Sequence, residues 1–146
     1  MPLLMDHIVL NVEDVETMMR FYTNVMGFTA ERLTEYRAGK VPFPSVRINA
    51  DTIIDLFPRA LWGPGDNNST GHTNLNHFCI AIDKDGWDRL SQRLTVKGLP
   101  VELGPVKRWG AHGTGISIYF RDPEKNLIEA RYYVNNEETQ PCFLST

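Results

Sequence analysis

Two kinds of periodicity alternate along the chain, and they do so twice. From Met5 to Val12 apolar and polar residues exchange with a period near two, which predicts a β-strand. The period then lengthens. Val15, Met18, Met19, Tyr22 and Met26 fall about one helical turn apart, and Gly27 suits the end of that helix. Short strands are expected at Phe28–Leu33, Ser45–Asn49 and Thr52–Phe57, the last two around a tight turn. The stretch from Pro58 to Asn74 is rich in Pro, Gly, Asn and Ser and reads as a connector or mobile loop. After it the order returns. Leu75–Ile82 is a strand, and Trp87, Leu90 and Leu94 share one face of a helix that ends near Gly98. Leu99–Val106 is a strand leading into a turn, and Gly115–Phe120 and Asn126–Tyr133 are strands joined by the turn-rich "RDPEKN". The polar tail from Asn135 is expected to be frayed.

Each half therefore reads strand, helix, then three strands, and the halves align. His7 corresponds to His77, 70 positions on (77 − 7), and Asp55 corresponds to Glu129, 74 positions on (129 − 55). The slippage of four between the two offsets fits a longer second hairpin turn. Two copies make a duplicated module rather than a solenoid. The expected architecture is one α+β domain. Module one spans about 5–58, the connector about 59–74, module two about 75–134, and the tail 135–146.

Composition adds exclusions. The chain has 146 residues and a net charge of −3, with no Lys/Arg run of the kind that marks a nucleic-acid or membrane partner. The apolar runs are too short to span a bilayer, and the amino terminus lacks the basic region and apolar core of a signal peptide. Two cysteines, Cys79 and Cys142, make no disulfide framework, and the simplest compartment is a reducing cytoplasm.

The duplicated positions carry the candidate chemistry. Side chains alternate along a strand, so His7, Val9 and Asn11 share a face, as do His77, Cys79 and Ala81. Ile53, Asp55 and Phe57 go together, and so do Leu127, Glu129 and Arg131. If the modules pair about a pseudo-two-fold axis, two imidazoles and two carboxylates converge, a donor set for a divalent cation. Two His and one carboxylate would leave positions open for substrate, O₂ or water. Asp55 is the weaker member, because its carboxylate reaches one methylene less far than that of a Glu.

Several segments together resemble the vicinal oxygen chelate superfamily, which includes glyoxalase I, fosfomycin-resistance transferases, bleomycin-binding proteins and extradiol dioxygenases. They are "DHIVLNVEDVETMMRFYTNVMGF" with Phe21, Tyr22, Gly27 and Phe28, then "LNHFCIAI", and then "SIYFRDPEKNLIEARYY". The resemblance covers about Met5 to Val134. It implies two tandem βαβββ modules forming a cup-shaped, partly closed mixed sheet with a central metal site. It also implies His7, His77 and Glu129 as metal ligands with Asp55 as a candidate fourth, a small-molecule substrate, and a homodimer.

The stretch "GAHGTGISIYFRDPEKNLIE" is similar to the extradiol dioxygenase signature, with His112, Ile118–Tyr119, Asp122–Pro123 and Glu129 in place and Lys125 where that pattern prefers Gly or Pro. By this resemblance Fe(II) is the favoured metal, with Mn, Ni or Zn as alternatives. Tyr119 and His112 are the residues for substrate contact and proton transfer, and ring cleavage of a catechol-type molecule is the leading reaction. A glyoxalase I-like lyase is the first alternative, with Asp55 completing a four-ligand set. A fosfomycin transferase fits less well, since Val9 stands where it would need threonine. The contrasting class is a metal-free, ligand-sequestering protein of the bleomycin-resistance kind, for which Trp62, Trp87 and Trp109 would supply an aromatic groove.

Overall fold

The computed structural model describes residues 5–63, 75, 77–110 and 112–134, and the chain divides into two compact units, Met1–Thr73 and Asn74–Thr146. In the first unit, strand β1 (His7–Asn11) buries Leu10 and leads to helix α1 (Val15–Arg20). Asp14 caps that helix, its carboxylate accepting from the Thr17 amide at 3.0 Å. The helix then widens into a π turn over Phe21–Val25, with the Met26 amide donating to the Phe21 carbonyl. The extra residue in that turn rotates the apolar face, so that Phe21 and Tyr22 are both buried beside Met18, Met19 and Val25. Gly27, at φ 78°, ends the run as expected.

The expected strand at Phe28–Leu33 is shorter than its pattern suggested. Strand β2 covers Thr29–Glu31, and Leu33–Arg37 forms a short helix, α2. Strands β3 (Ser45–Arg47) and β4 (Ile53–Phe57) follow, then a single helical turn, α3 (Arg59–Trp62), at the start of the expected connector. The rest of that connector and the tail lie outside the described residues.

In the second unit, β5 (Phe78–Ala81) begins one residue after His77. Helix α4 (Lys84–Val96) is capped by Asp83, whose carboxylate accepts from the Gly86 amide at 2.7 Å. Trp87, Leu90 and Leu94 are buried as their spacing predicts, and the Trp87 indole donates to the Ala130 carbonyl at 2.9 Å, which ties the helix to the sheet. Strands β6 (Val101–Gly110), β7 (Gly113–Arg121) and β8 (Leu127–Tyr133) complete it.

The strand orders are β1-β4-β3-β2 and β5-β8-β7-β6, so each unit repeats the same mixed sheet with one parallel pair. Within each unit the four-stranded sheet is open. The helix after the first strand carries the chain across the sheet, so the first two strands of a module become its opposite edges and cannot pair. In register, Val9 faces Asp55 and Cys79 faces Glu129. Each histidine thus precedes the residue beside its acid by two positions, the relation that the sequence offsets require.

Asp122 sets the β7–β8 turn. Its Oδ1 accepts from the Glu124 and Asn126 amides, both at 2.9 Å. Lys125 sits there at φ 73°, in the left-handed region, which explains why a Gly would be favoured at this position.

Candidate functional site

One face of the second unit's sheet packs on α4 through Ala130 and Tyr132, the latter edge-on to Trp87 at 4.9 Å. Strand alternation sends His77, Glu129, Arg131, Tyr133, Ser117 and Tyr119 to the other face. There His77 Nε2 lies 3.1 Å from Glu129 Oε2. The other carboxylate oxygen is held in place: Glu129 Oε1 accepts from Ser117 Oγ at 2.6 Å and from Arg131 Nη2 at 2.5 Å. Tyr119 is the register partner of Glu129, and its ring stands edge-on to His77 at 5.6 Å.

Electrostatics follow this arrangement. Burial raises the Glu129 carboxyl, but the hydrogen bonds from Ser117 and Arg131 and the Arg131 charge outweigh it, so the group titrates below the ordinary glutamate value. Burial and the Glu129 charge raise the Tyr119 phenol, which keeps it a neutral donor. Cys79 opens to solvent on the same face, yet the protein around it and the Glu129 charge push its thiol up to about 11.

Arg131 has the room it needs because Gly110 has no side chain, since a Cβ there would stand 1.9 Å from Arg131 Nη1. That nitrogen donates to the Arg108 carbonyl and to the Tyr133 hydroxyl, both at 3.3 Å. The Tyr133 hydroxyl also accepts from the His112 amide at 3.3 Å, and the His112 ring meets the Tyr133 ring at 5.4 Å. Tyr119 and His112 are therefore not brought together. Tyr119 adjoins His77 and Glu129, whereas His112 adjoins Tyr133, four positions further along β8, about 13 Å at strand rise.

In the first unit, Asp55 is buried and its Oδ1 accepts from Ser45 Oγ at 2.6 Å. His7 is exposed, with Nδ1 2.6 Å from Asp6 Oδ1. The hydrogen bond to Asp6 raises the His7 pKa, and the Asp55 charge adds to this, placing that carboxylate in electrostatic range of the imidazole. Each acid thus has a strand serine bonded to it, a repeat that the sequence reading missed. Its signal was a Ser at alternating distance from an apolar face on the neighbouring strand. The Trp109 side chain, singled out in the sequence, lies outside the described residues.

Among the described residues no three His, Cys, Asp or Glu side chains gather closely enough to hold a metal ion. The donor chemistry of each pair nonetheless fits one. Neighbouring ligands at about 2.1 Å from an octahedral cation stand roughly 3 Å apart, and the His77–Glu129 contact is 3.1 Å. For His7, a carboxylate on Nδ1 leaves Nε2 as the donor atom, the arrangement usual for ligating imidazoles.

A duplicated βαβββ module with one imidazole–carboxylate pair in each copy defines an α+β protein of the vicinal oxygen chelate fold. The chain belongs to the Glyoxalase/Bleomycin resistance protein/Dioxygenase superfamily, which matches residues 4–130. It is similar to "Virulence protein STM3117" of Salmonella typhimurium, at 35% identity over 88% of this chain and 83% of that one. The crystal structure of that protein aligns with a TM-score of 0.70 at 28% identity, covering 92% of this chain and 99% of the other. A "Glyoxalase domain-containing protein RDO1" of Mycosarcoma maydis is 34% identical over 88% of this chain and 68% of its own length. A glyoxalase/dioxygenase structure from Nostoc punctiforme aligns with a TM-score of 0.67 at 27% identity, covering 89% of this chain and 90% of the other.

Proposed function

We propose that the protein is a divalent-metal-dependent enzyme acting on a small organic molecule, with His7, His77 and Glu129 as metal donors and Asp55 as an auxiliary one. The observation that carries this reading is the 3.1 Å approach of His77 Nε2 to Glu129 Oε2, with the other Glu129 oxygen already engaged by Ser117 and Arg131. A carboxylate held in that way presents one oxygen, ionised, beside an imidazole nitrogen. Bound Fe(II), the favoured ion, would act as a Lewis acid and hold two vicinal substrate oxygens together with O₂. Mn, Ni and Zn suit the same donors.

Ring cleavage of a catechol-type substrate is the reaction we favour. Tyr119 stands beside both donors, so its neutral hydroxyl can donate to a substrate oxygen as charge develops there, a role worth roughly 3 kcal/mol in comparable sites. His112 serves the far end of the same face, next to Tyr133. A glyoxalase I-like lyase is the second reading, supported by the Asp55 charge acting on His7. We further assign the protein to the cytoplasm as a homodimer. No helix among the described residues is long and apolar enough to cross a membrane.

Two measurements test the reading. Equilibrium dialysis with Fe(II), Mn(II), Ni(II) and Zn(II) should give stoichiometric uptake of at least one ion, whereas no uptake of any would favour a sequestering protein. Anaerobically loaded Fe(II) protein mixed with a catechol panel and air should consume O₂ and develop the yellow of a ring-opened product. Uptake of metal with neither sign would discard the dioxygenase and leave the lyase.

A further inference from the structure

Tyr133 lies on the face of Glu129 and Arg131, toward the end of β8, and its ring is laid across the sheet. Its register partner on β7 is Gly115, where a Cβ would stand 3.3 Å from the ring. On β6, a Cβ at Gly110 would stand 2.7 Å from the Tyr133 hydroxyl oxygen. Two neighbouring strands thus lack a side chain where the ring and its hydroxyl pass. The Arg131 guanidinium carbon lies 5.6 Å from the ring centroid, and the His112 ring closes edge-on at 5.4 Å.

The hydroxyl is as constrained as the ring. Its oxygen accepts from Arg131 Nη1 and from the His112 amide, both at 3.3 Å. A phenol oxygen that receives two donors sends its hydrogen elsewhere, and no acceptor among the described residues takes it. Tyr133 stays partly open to solvent, so that hydrogen suits an acceptor brought in from outside. A guanidinium on the oxygen also polarises the O–H and strengthens it as a donor. Arg131 links this phenol to the candidate metal donors, because its Nη2 donates to Glu129 Oε1 at 2.5 Å while Nη1 serves Tyr133. With the Glu129 charge shared by a bound divalent ion, the cation behind Tyr133 is less fully neutralised, and this end of the face takes a negative oxygen in preference to a neutral one.

We propose that Tyr133 is a substrate-binding residue, donating its hydroxyl hydrogen to a carboxylate oxygen at the end of the substrate remote from the two chelating oxygens. The inference rests on the metal-dependent reading above and narrows its substrate to small organic acids. Arg131 and the His112 amide are the positioning groups that fix the direction of the Tyr133 hydrogen. Attachment at both ends orients the reacting atoms before chemistry begins.

The test follows the phenol directly. Protein isotope-labelled at the tyrosine ζ carbons is titrated by NMR, metal-free with benzoate and Zn(II)-loaded with catechol, 2,3-dihydroxybenzoate and 3,4-dihydroxybenzoate. The resonance lost in Tyr133→Phe identifies Tyr133, and that variant keeps the ring that lies over the two glycines. Benzoate should shift this resonance. At least one of the dihydroxybenzoates should bind more tightly than catechol, and Tyr133→Phe should weaken that acid about tenfold while leaving catechol unchanged. Equal binding of acids and catechol, a Tyr133 resonance that no acid moves, or equal losses for acid and catechol in Tyr133→Phe overturns the proposal, while catechol binding to the loaded protein keeps the metal reading. Benzoate binding that needs the Tyr133 hydroxyl, with no diphenol bound by the loaded protein, keeps the subsite and overturns ring cleavage. Failure of every probe overturns both.

Discussion

His77 and Glu129 meet at 3.1 Å across the parallel β5–β8 pair, and His7 and Asp55 hold the same register across β1–β4. If the first contact is half of a metal site, His77→Ala should weaken Mn(II) binding by more than about 100-fold, beyond the usual effect of losing an outer partner. Calorimetric titration measures this, and an unchanged affinity would show that His77 is not a ligand. Asp6→Asn should weaken binding more mildly, by about tenfold, through the imidazole that it orients.

The pair Arg131–Glu129 is buried on both sides, with side-chain exposures of 5% and 4%. Arg131→Met should therefore cost about 3–5 kcal/mol, because it strands a buried carboxylate. Adding Glu129→Gln should recover much of that loss. Urea unfolding of the two single variants and the double variant gives the coupling directly. Additive single effects would mean that the pair does not act as a unit.

A pH dependence follows with a definite sign. The Glu129 carboxyl titrates below its ordinary value of 4.5. Its contribution to stability is complete above that value and is lost as pH falls through the lower, folded one. The stability gap between wild type and Glu129→Gln should hence narrow on acidification below about pH 4.5. A gap that stays constant from pH 6 to pH 3 would contradict the arrangement around Glu129.

Cys79 should be a poor nucleophile despite its exposure. With the thiol pushed up to about 11, only about one molecule in a thousand carries a thiolate at pH 8. In a Cys142→Ser background, alkylation by iodoacetamide should be far slower than for a free cysteine and should rise about tenfold per pH unit up to pH 10. Labelling at the free-cysteine rate would mean that the protein around Cys79 does not desolvate its thiol.

Much of this was legible in one dimension. Local periodicity is a backbone property, so β1, α4, β7 and β8 and the duplication appear in the residue pattern, as does the equivalence of His7 with His77 and of Asp55 with Glu129. The π turn at Phe21–Val25 did not, because packing of Phe21, Tyr22 and Val25 chose it over intrinsic preference, and neither did the short helix at Leu33–Arg37, which buries none of its residues. Nor did the surroundings of the acids. Ser117 and Arg131 bond Glu129, and Tyr119 stands opposite it, only once β7 and β8 are in register, and the space for Arg131 exists because Gly110 of β6, two strands away, has no side chain. Sequence spacing determines which face a residue occupies. Which oxygen of Glu129 is engaged, and which is left facing His77, depends on cross-strand neighbours that are distant along the chain and is decided by the tertiary structure alone.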